Sequence, residues 1–381
     1  MEYVVQEITL YAFLNRLSKV GYLFLMRSMK ILFITPYPEG TAPSQRFRFE
    51  HYFKLLESQG HSYKVSSFMG PRTWKVLYQP GHLLFKSSGI IKGYFRRLRD
   101  LLRVHRFDYV FIHREAAPLG PPVFEWMIAR IFGKKIVYDF DDAIWIPNAS
   151  EHNPIVYRLK RYRNTENIIR WSSVVSCGNP FLKDFASGFN SQTVFNPTVI
   201  DTSYYVPSRK MPNSRFVIGW TGSHSTMQYL SLVKPVIEKL EKEFDFEFHV
   251  ISDKEPDFIM KSLIFKKWNK ETEIQDLVQF DVGLMPLTDD KWAKGKCGFK
   301  ALQYLALEIP ALVSPVGINT SIVTHGSNGF YCTSAEEWEQ NLRMLLSNRS
   351  LIEKLKQNTR KIVEDQFSVN AHRSTFLSLF R

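Results

Sequence analysis

Asp281-Val-Gly-Leu-Met-Pro-Leu287, then Lys294-Gly-Lys-Cys-Gly-Phe-Lys-Ala-Leu-Gln-Tyr-Leu-Ala306, then Ile309-Pro-Ala-Leu-Val-Ser-Pro-Val-Gly317 decide the fold. The first and third pieces are short, continuous apolar runs bounded by turn residues, the pattern of strands buried on both faces. Between them lie a basic, glycine-containing loop and a stretch with the helical apolar period, opening at about Phe299. Strand, loop, helix and strand in this order make a βαβ unit of a parallel sheet.

The same alternation extends in both directions. Upstream, strands are predicted at Phe216 to Trp220 and Phe246 to Ser252, with a helix from Met227 to Glu243 between them. Nearer the start, Ile31 to Thr35 reads as a buried strand, followed by a Pro/Gly loop and a helix from about Ser44 to Ser58 closed by Gly60. Further strands are predicted at Tyr109 to His113, Lys135 to Asp139 and Val174 to Ser176. A polar, proline-containing stretch over Asn196 to Ser214 separates the two series. The expected architecture is α/β, with a first Rossmann-like domain over residues 30–200 and a second over 201–360. Residues 361–381 form a C-terminal helix that returns to the first domain.

Composition bounds the function classes. A chain of 381 residues with 44% hydrophobic content suits two cores. Cys177, Cys297 and Cys332 are widely spaced and match no disulfide framework or zinc site, which fits a reducing, cytoplasmic setting. The formal net charge of +13 favours anionic partners: nucleic acid, a membrane face or phosphorylated substrates. Residues 1–29 are apolar but interrupted by Asn15, Arg16 and Lys19, and Glu2 and Glu7 ill suit a signal peptide. They read either as an extension upstream of a start at Met29 or as an amphipathic helix lying on a membrane.

Ligands of open parallel sheets bind beyond the carboxyl ends of the strands, so the residues that follow each strand carry the candidates. After the first strand, Arg46 and Arg48 fall in an opening helical turn, where cations are unfavourable unless an anion or a carboxylate sits beside them. Arg114 and Glu115 follow the strand ending at His113, and Asp139-Phe-Asp-Asp142 follows the next. Asp141 and Asp142 fit contact with an acceptor or a transferred sugar, and equally fit capping and ion pairing. The spelling at Asp139 and Asp141 matches the metal motif of single-domain GT-A transferases, but the duplicated Rossmann pattern speaks against that fold, and no metal is expected. His113, His249 and His325 have no visible partner and read as structural.

In the second half, Trp220-Thr-Gly-Ser-His-Ser225 joins a strand to a helix, and Gly222 and Ser223 there present backbone N–H groups to an anion. Lys296 and Lys300 stand beside the start of the helix at Phe299, a place that calls for phosphate. Gln303, one turn on, has the donor and acceptor needed for ribose hydroxyls.

The passage from Asp281 to Phe330, ending in His325-Gly-Ser-Asn-Gly-Phe330, resembles the donor-binding region of family 4 retaining glycosyltransferases, the glycosyl transferases group 1. Ser44-Gln-Arg-Phe-Arg48, His113-Arg-Glu115 and Tyr138-Asp-Phe-Asp-Asp142 resemble first-domain segments of a bacterial branch of that family. The resemblance implies a GT-B fold, with two Rossmann-like domains facing each other across a cleft. It implies transfer of a sugar from a nucleotide-sugar donor, as substrate and without a cofactor, to a glycan or lipid-linked acceptor in cell-surface polysaccharide synthesis. Transfer would proceed with retention and without metal. Lys300, Arg114, Asp141 and Asp142 are then the catalytic candidates. Gly222, Ser223, Lys296, Lys300 and Gln303 are the donor-binding set, and Arg46, Arg48 and Glu115 contact the acceptor or an anion.

The chain departs from the family at three places. The paired glutamates align with Gly295 and Gln303, Glu308 replaces a glycine, and the Arg and Lys after the second domain's first strand give way to Trp220-Thr-Gly-Ser223. A GT-B sugar-nucleotide epimerase and a non-catalytic sugar-nucleotide-binding protein are therefore kept as alternatives. Nucleic acid explains the charge but not the strand-end motifs, and is not an expected partner. The stretch Lys86 to Arg106 interleaves Lys92, Arg96, Arg97, Arg99, Arg103 and Arg106 with apolar residues. A helix there suits an anionic membrane at the inner face of the cell membrane, and a solvated helix packed on its own domain explains the same residues.

Overall fold

The structure, a computed structural model, describes residues 28–77, 79, 81–147, 163–208 and 215–381. Residues 1–27, on which the reading of the leader falls, lie outside the described residues, as do residues 209–214 of the polar linker.

Two six-stranded parallel sheets organise the chain. The first contains β1 (Lys30–Thr35), β2 (Ser62–Ser67), β3 (Tyr109–His113), β4 (Lys135–Phe140), β5 (Val174–Cys177) and β6 (Thr193–Phe195), in the order β2-β1-β3-β4-β5-β6. The second contains β7 (Phe216–Thr221), β8 (Phe246–Ser252), β9 (Leu263–Lys267), β10 (Val282–Met285), β11 (Ala311–Val313) and β12 (Gly329–Tyr331), in the order β12-β11-β10-β7-β8-β9. Three helices matter below: α1 (Leu83–Arg103), α2 (Phe299–Ala306) and α3 (Arg373–Ser378).

Central strands are apolar throughout because helices cover both sheet faces: β3, β7, β10 and β11 are buried at every position. Sequence reading found these and missed β2, β6, β9 and β12. Those four stand at or beside sheet edges, where Ser62-Tyr-Lys-Val-Ser-Ser67 and Leu263-Ile-Phe-Lys-Lys267 need no continuous apolar run. The helix expected over Ser44 to Ser58 is broken into Pro43–Arg46, a 3-10 turn at Glu50–Tyr52 and Phe53–Ser58. Between the pieces, Phe47 lends its carbonyl to Val199 N–H (3.1 Å) in the segment leading to the second domain. The helix expected over Met227 to Glu243 is likewise interrupted, with a 3-10 turn ahead of Lys234–Leu240. Pro235, which lacks an N–H, stands in the first turn of the later piece.

The chain end crosses back between the sheets. Ile200 and the segment Phe367–Val369 exchange backbone bonds (2.8 and 3.0 Å), and α3 then enters the core beneath β1 and β3. There Phe376 stacks on Tyr52 with ring centroids 4.1 Å apart, and Phe380 packs against Tyr109 and Phe111. Aromatic burial of this kind fixes the last helix to the first domain.

Candidate active site

Both sheets present their carboxyl edges to a common crevice. The second sheet's strand order reverses between β7 and β10, the place where such sheets bind ligands. Tyr304 of α2 closes this switch point from below: its hydroxyl accepts from Thr221 N–H (3.0 Å) and donates to Leu284 O (3.2 Å).

On the first-domain wall, β3 ends at His113 and the chain turns at Arg114, whose φ of 60° is left-handed. A non-glycine residue pays of order 1–2 kcal/mol there, so neighbours must hold it. They do: Arg114 N–H donates to Asp139 O (2.8 Å) and Tyr138 Oη donates to Arg114 O (2.6 Å). The turn aims the guanidinium at the loop after β4, with Nε donating to Asp141 Oδ1 (2.9 Å) and Nη2 to Asp142 Oδ2 (2.6 Å). Burial alone lowers the Arg114 pKa, but the Asp141 and Asp142 carboxylates outweigh it and raise it well above normal. Glu115 follows, partly exposed at the lip.

The second-domain wall is the basic loop before α2. Gly298 opens the helix at φ 68°, where any side chain is strained, and a Cβ there would lie 2.1 Å from Ile322 Cδ1, which would have to shift. Asn179 of the first domain holds this loop, its amide donating to Lys294 O (3.0 Å) and Lys296 O (2.9 Å). Lys296 Nζ then meets Asp142 Oδ1 at 2.8 Å across the crevice. Burial pushes the Asp142 carboxyl up, yet Lys296 and Arg114 together hold it below the ordinary value.

Lys300, one turn further, lies over the Trp220 ring with Nζ 5.6 Å from its centre, and makes no ion pair among the described residues. Burial, with a smaller push from Lys296, brings its pKa down to about 7. At the turn after β7, Gly222 N–H donates to Ile251 O (3.0 Å), and a Cβ at Gly222 would come within 2.6 Å of the Trp220 ring. Ser223 is exposed, its hydroxyl 2.8 Å from that of Ser225. The crevice thus faces a ligand with a carboxylate pair clamped by Arg114 on one wall and an unpaired, recessed lysine beside an indole on the other. That combination suits a ligand carrying both negative charge and hydroxyl groups.

Residues 215–348 match the family described as Glycosyl transferases group 1. The second domain thus matches the group 1 family model, and the chain as a whole has the GT-B fold. Over 93% of its length the chain superposes on sucrose-phosphate synthase from Thermosynechococcus elongatus, covering 98% of that chain at 11% identity and a TM-score of 0.69. A glycosyltransferase from Rickettsia africae gives 16% identity and a TM-score of 0.66, with 93% and 98% of the two chains covered. Anabaena HepE, solved with UDP-glucose, gives 15% identity and a TM-score of 0.62, with 92% and 99% covered. No curated protein sequence matches the chain.

Several expected site residues have other occupations. Arg48 is fully buried and pairs with Asp139, and it also donates to Asn196 O. Arg46 pairs with Glu273 at 2.9 Å, again in the interior. The anions these arginines call for are therefore protein carboxylates, and the expected acceptor contact is corrected. Gln303 is corrected as well. It is only 1% exposed, because α2 turns that face into the protein, and its amide donates to Tyr205 Oη (3.1 Å) and Glu273 Oε1 (3.4 Å). Glu273 collects Arg46, Tyr205, Trp268 and Gln303, forming a charged junction between the domains in place of a ribose site.

Sequence reading also left the histidines unpartnered. His113 Nδ1 lies 2.8 Å from Asp139 Oδ2, and Ser176 Oγ donates to Asp139 Oδ1 at 2.6 Å. His249 meets Glu247 at 2.8 Å, and His325 accepts from Tyr331 N–H at 3.0 Å. The His113–Asp139 pair joins residues on adjacent parallel strands in direct register. Knowing that β3 and β4 are neighbours is the signal that would have found it.

Proposed function

We propose that the protein transfers a sugar from a nucleotide-sugar donor, bound on the second domain, to a glycan or lipid-linked acceptor approaching from the first. The observation that carries this reading is Lys300, a recessed lysine without a carboxylate partner among the described residues, placed over Trp220 at the switch point of a domain that matches the group 1 model. A diphosphate supplies the missing negative charge. The structures of Anabaena HepE with UDP and with UDP-glucose support a nucleotide-sugar as the ligand class.

Breaking the anomeric bond builds negative charge on the departing diphosphate and positive charge on the sugar. Lys300 stabilises the first, aimed where charge develops, whereas the Gly222 N–H expected beside it is committed to Ile251 O. Asp141 and Asp142, held by Arg114, face the sugar and acceptor from the opposite wall. In this reading no metal takes part, because Asp139 is committed to Arg48 and His113 and the other two carboxylates to Arg114. Retention of configuration, and a role in cell-surface polysaccharide synthesis at the inner face of the membrane, are what the family resemblance implies.

Thermal denaturation against a panel of nucleotide sugars tests the donor, since a ligand of the folded state raises the midpoint. The stabilising donor is then incubated with and without glycan acceptors. Product that appears only with acceptor supports transfer, and conversion of the donor to its epimer without acceptor makes the protein an epimerase.

A further inference from the structure

Helix α1 is amphipathic the wrong way round. Its inward face carries Gly89, Gly93, Arg97, Asp100 and Leu101, all buried. The two glycines let the helix sit directly on Thr73 and Phe68, where a Cβ would come within 2.4 and 2.7 Å of their side chains. Arg97 donates to Thr35 O (2.8 Å) and to Ala116 O, the ends of the β1 and β3 loops that form the first-domain lip of the crevice. Arg96 also turns inward, donating to Ser67 O (2.8 Å) and Phe68 O (2.7 Å). Of the basic residues of this helix, Arg96 and Arg97 are therefore structural.

What faces outward is apolar. Leu84, Ile91, Phe95, Leu98 and Leu102 recur at every third or fourth residue beyond the first step, and are between 50% and 89% exposed. Lys92, Arg99 and Arg103 run along one flank of this stripe, also exposed. Phe95 and three cations (Lys92, Arg96 and Arg99) line a shallow cavity of about 340 Å³. The segment beside α1, reached through Tyr94 Oη donating to Leu119 O (2.7 Å), exposes Val123, Trp126 and Ile131. A soluble helix places these faces the other way, so the stripe requires an apolar environment.

We infer that α1 lies in the interface of an anionic bilayer, with Leu84, Ile91, Phe95, Leu98 and Leu102 among the acyl chains and a lipid phosphate seated by Lys92 and Arg99. Phosphate beside the cations and acyl chain beside the stripe match the two-sided chemistry of the outer face, which a purely apolar partner does not. No helix among the described residues is long and apolar enough to cross a membrane, so the helix lies along the surface. The inference deepens the proposed reading, bringing the crevice lip to a lipid-linked acceptor through Arg97.

The three native cysteines are buried, so a cysteine introduced on α1 is selectively labelled. In the full chain, Phe95→Cys and Leu102→Cys carry an environment-sensitive fluorophore, and Glu255→Cys in the second domain serves as control. Phosphatidylcholine vesicles with one-third phosphatidylglycerol should shift emission to the blue at the first two positions and not at the third. Replacing Lys92 and Arg99 by glutamine in the labelled protein should weaken anionic-vesicle binding by about tenfold or more, and Ile91→Ser with Leu98→Ser should do so even at low salt. Vesicle binding with no blue shift on α1, or unaltered binding by the serine variant, overturns the inference. A blue shift that grows with protein concentration in the absence of lipid also overturns it, making the stripe a contact between copies. None of these readouts needs donor or acceptor, so they fail or hold independently of sugar transfer.

Discussion

Lys296 of the second domain donates to Asp142 of the first at 2.8 Å, and the same carboxyl group accepts from Arg114 at 2.6 Å. One carboxylate thus couples the two walls of the crevice, where the proposed reading passes a sugar from donor to acceptor. Three lines of placement make the contact: the left-handed turn at Arg114, the Asn179 amide on the Lys296 carbonyl, and Gly298 at the start of α2.

Asp142→Asn should therefore reduce kcat/KM by roughly tenfold or more, about 1.4 kcal/mol per factor of ten. The pair is partly open to solvent, so the thermal midpoint should change little. Steady-state kinetics with parallel melting curves check both statements.

Donor binding should depend on pH through Lys300. Its pKa is depressed to about 7 by burial and then by Lys296, so the free protein loses this charge as pH rises through that value. A diphosphate favours the charged form, and donor affinity should fall above pH 7, with a proton taken up on binding. Calorimetry in buffers of different ionisation enthalpy measures the uptake. Lys300→Arg, which stays charged, should flatten the profile.

Asp139 belongs to stability. Burial pushes its carboxyl up, but Arg48 and His113 prevail and hold it far below the ordinary carboxylate range. A depressed carboxyl contributes stability above the unfolded value near 3.8, and that contribution is lost as pH falls toward the folded value. Asp139→Asn leaves Arg48 buried without its counter-charge, which costs about 3–5 kcal/mol. Urea unfolding at neutral pH should show a loss of that order, and the loss should shrink in acid.

A chelator should leave transfer intact, since each carboxylate of the Asp139 to Asp142 run already has a cationic partner. Activity abolished by chelation and restored by manganese would assign a metal to Asp141 and Asp142.

The central strands and the two-domain order were legible in the sequence because strands covered on both faces must be apolar without interruption. Edge strands such as Ser62–Ser67 and Leu263–Lys267 escape that requirement and escaped notice. Arg114, Asp141, Asp142 and Lys296 were legible as strand-end residues, and the structure gathers them within hydrogen-bonding reach. Arg46 and Arg48 read as ligand contacts because a cation wants an anion, and Gln303 because its amide wants hydrogen-bond partners, but a sequence does not show that Glu273, Tyr205 and Asp139 arrive from distant elements to meet them. The inward face of helix α1 stayed undecided for a related reason. Its period is plain, but which face lies inward depends on Gly89 and Gly93 meeting Thr73 and Phe68.

The most direct measurement is the dissociation constant of the stabilising nucleotide sugar for the native protein and for Lys300→Ala, by calorimetry near pH 7. With the unpaired lysine removed, the diphosphate loses its charge-assisted contact, and binding should weaken by about tenfold or more while the ligand-free melting midpoint is kept. Equal affinity in a folded Lys300→Ala protein would contradict a donor phosphate at Lys300.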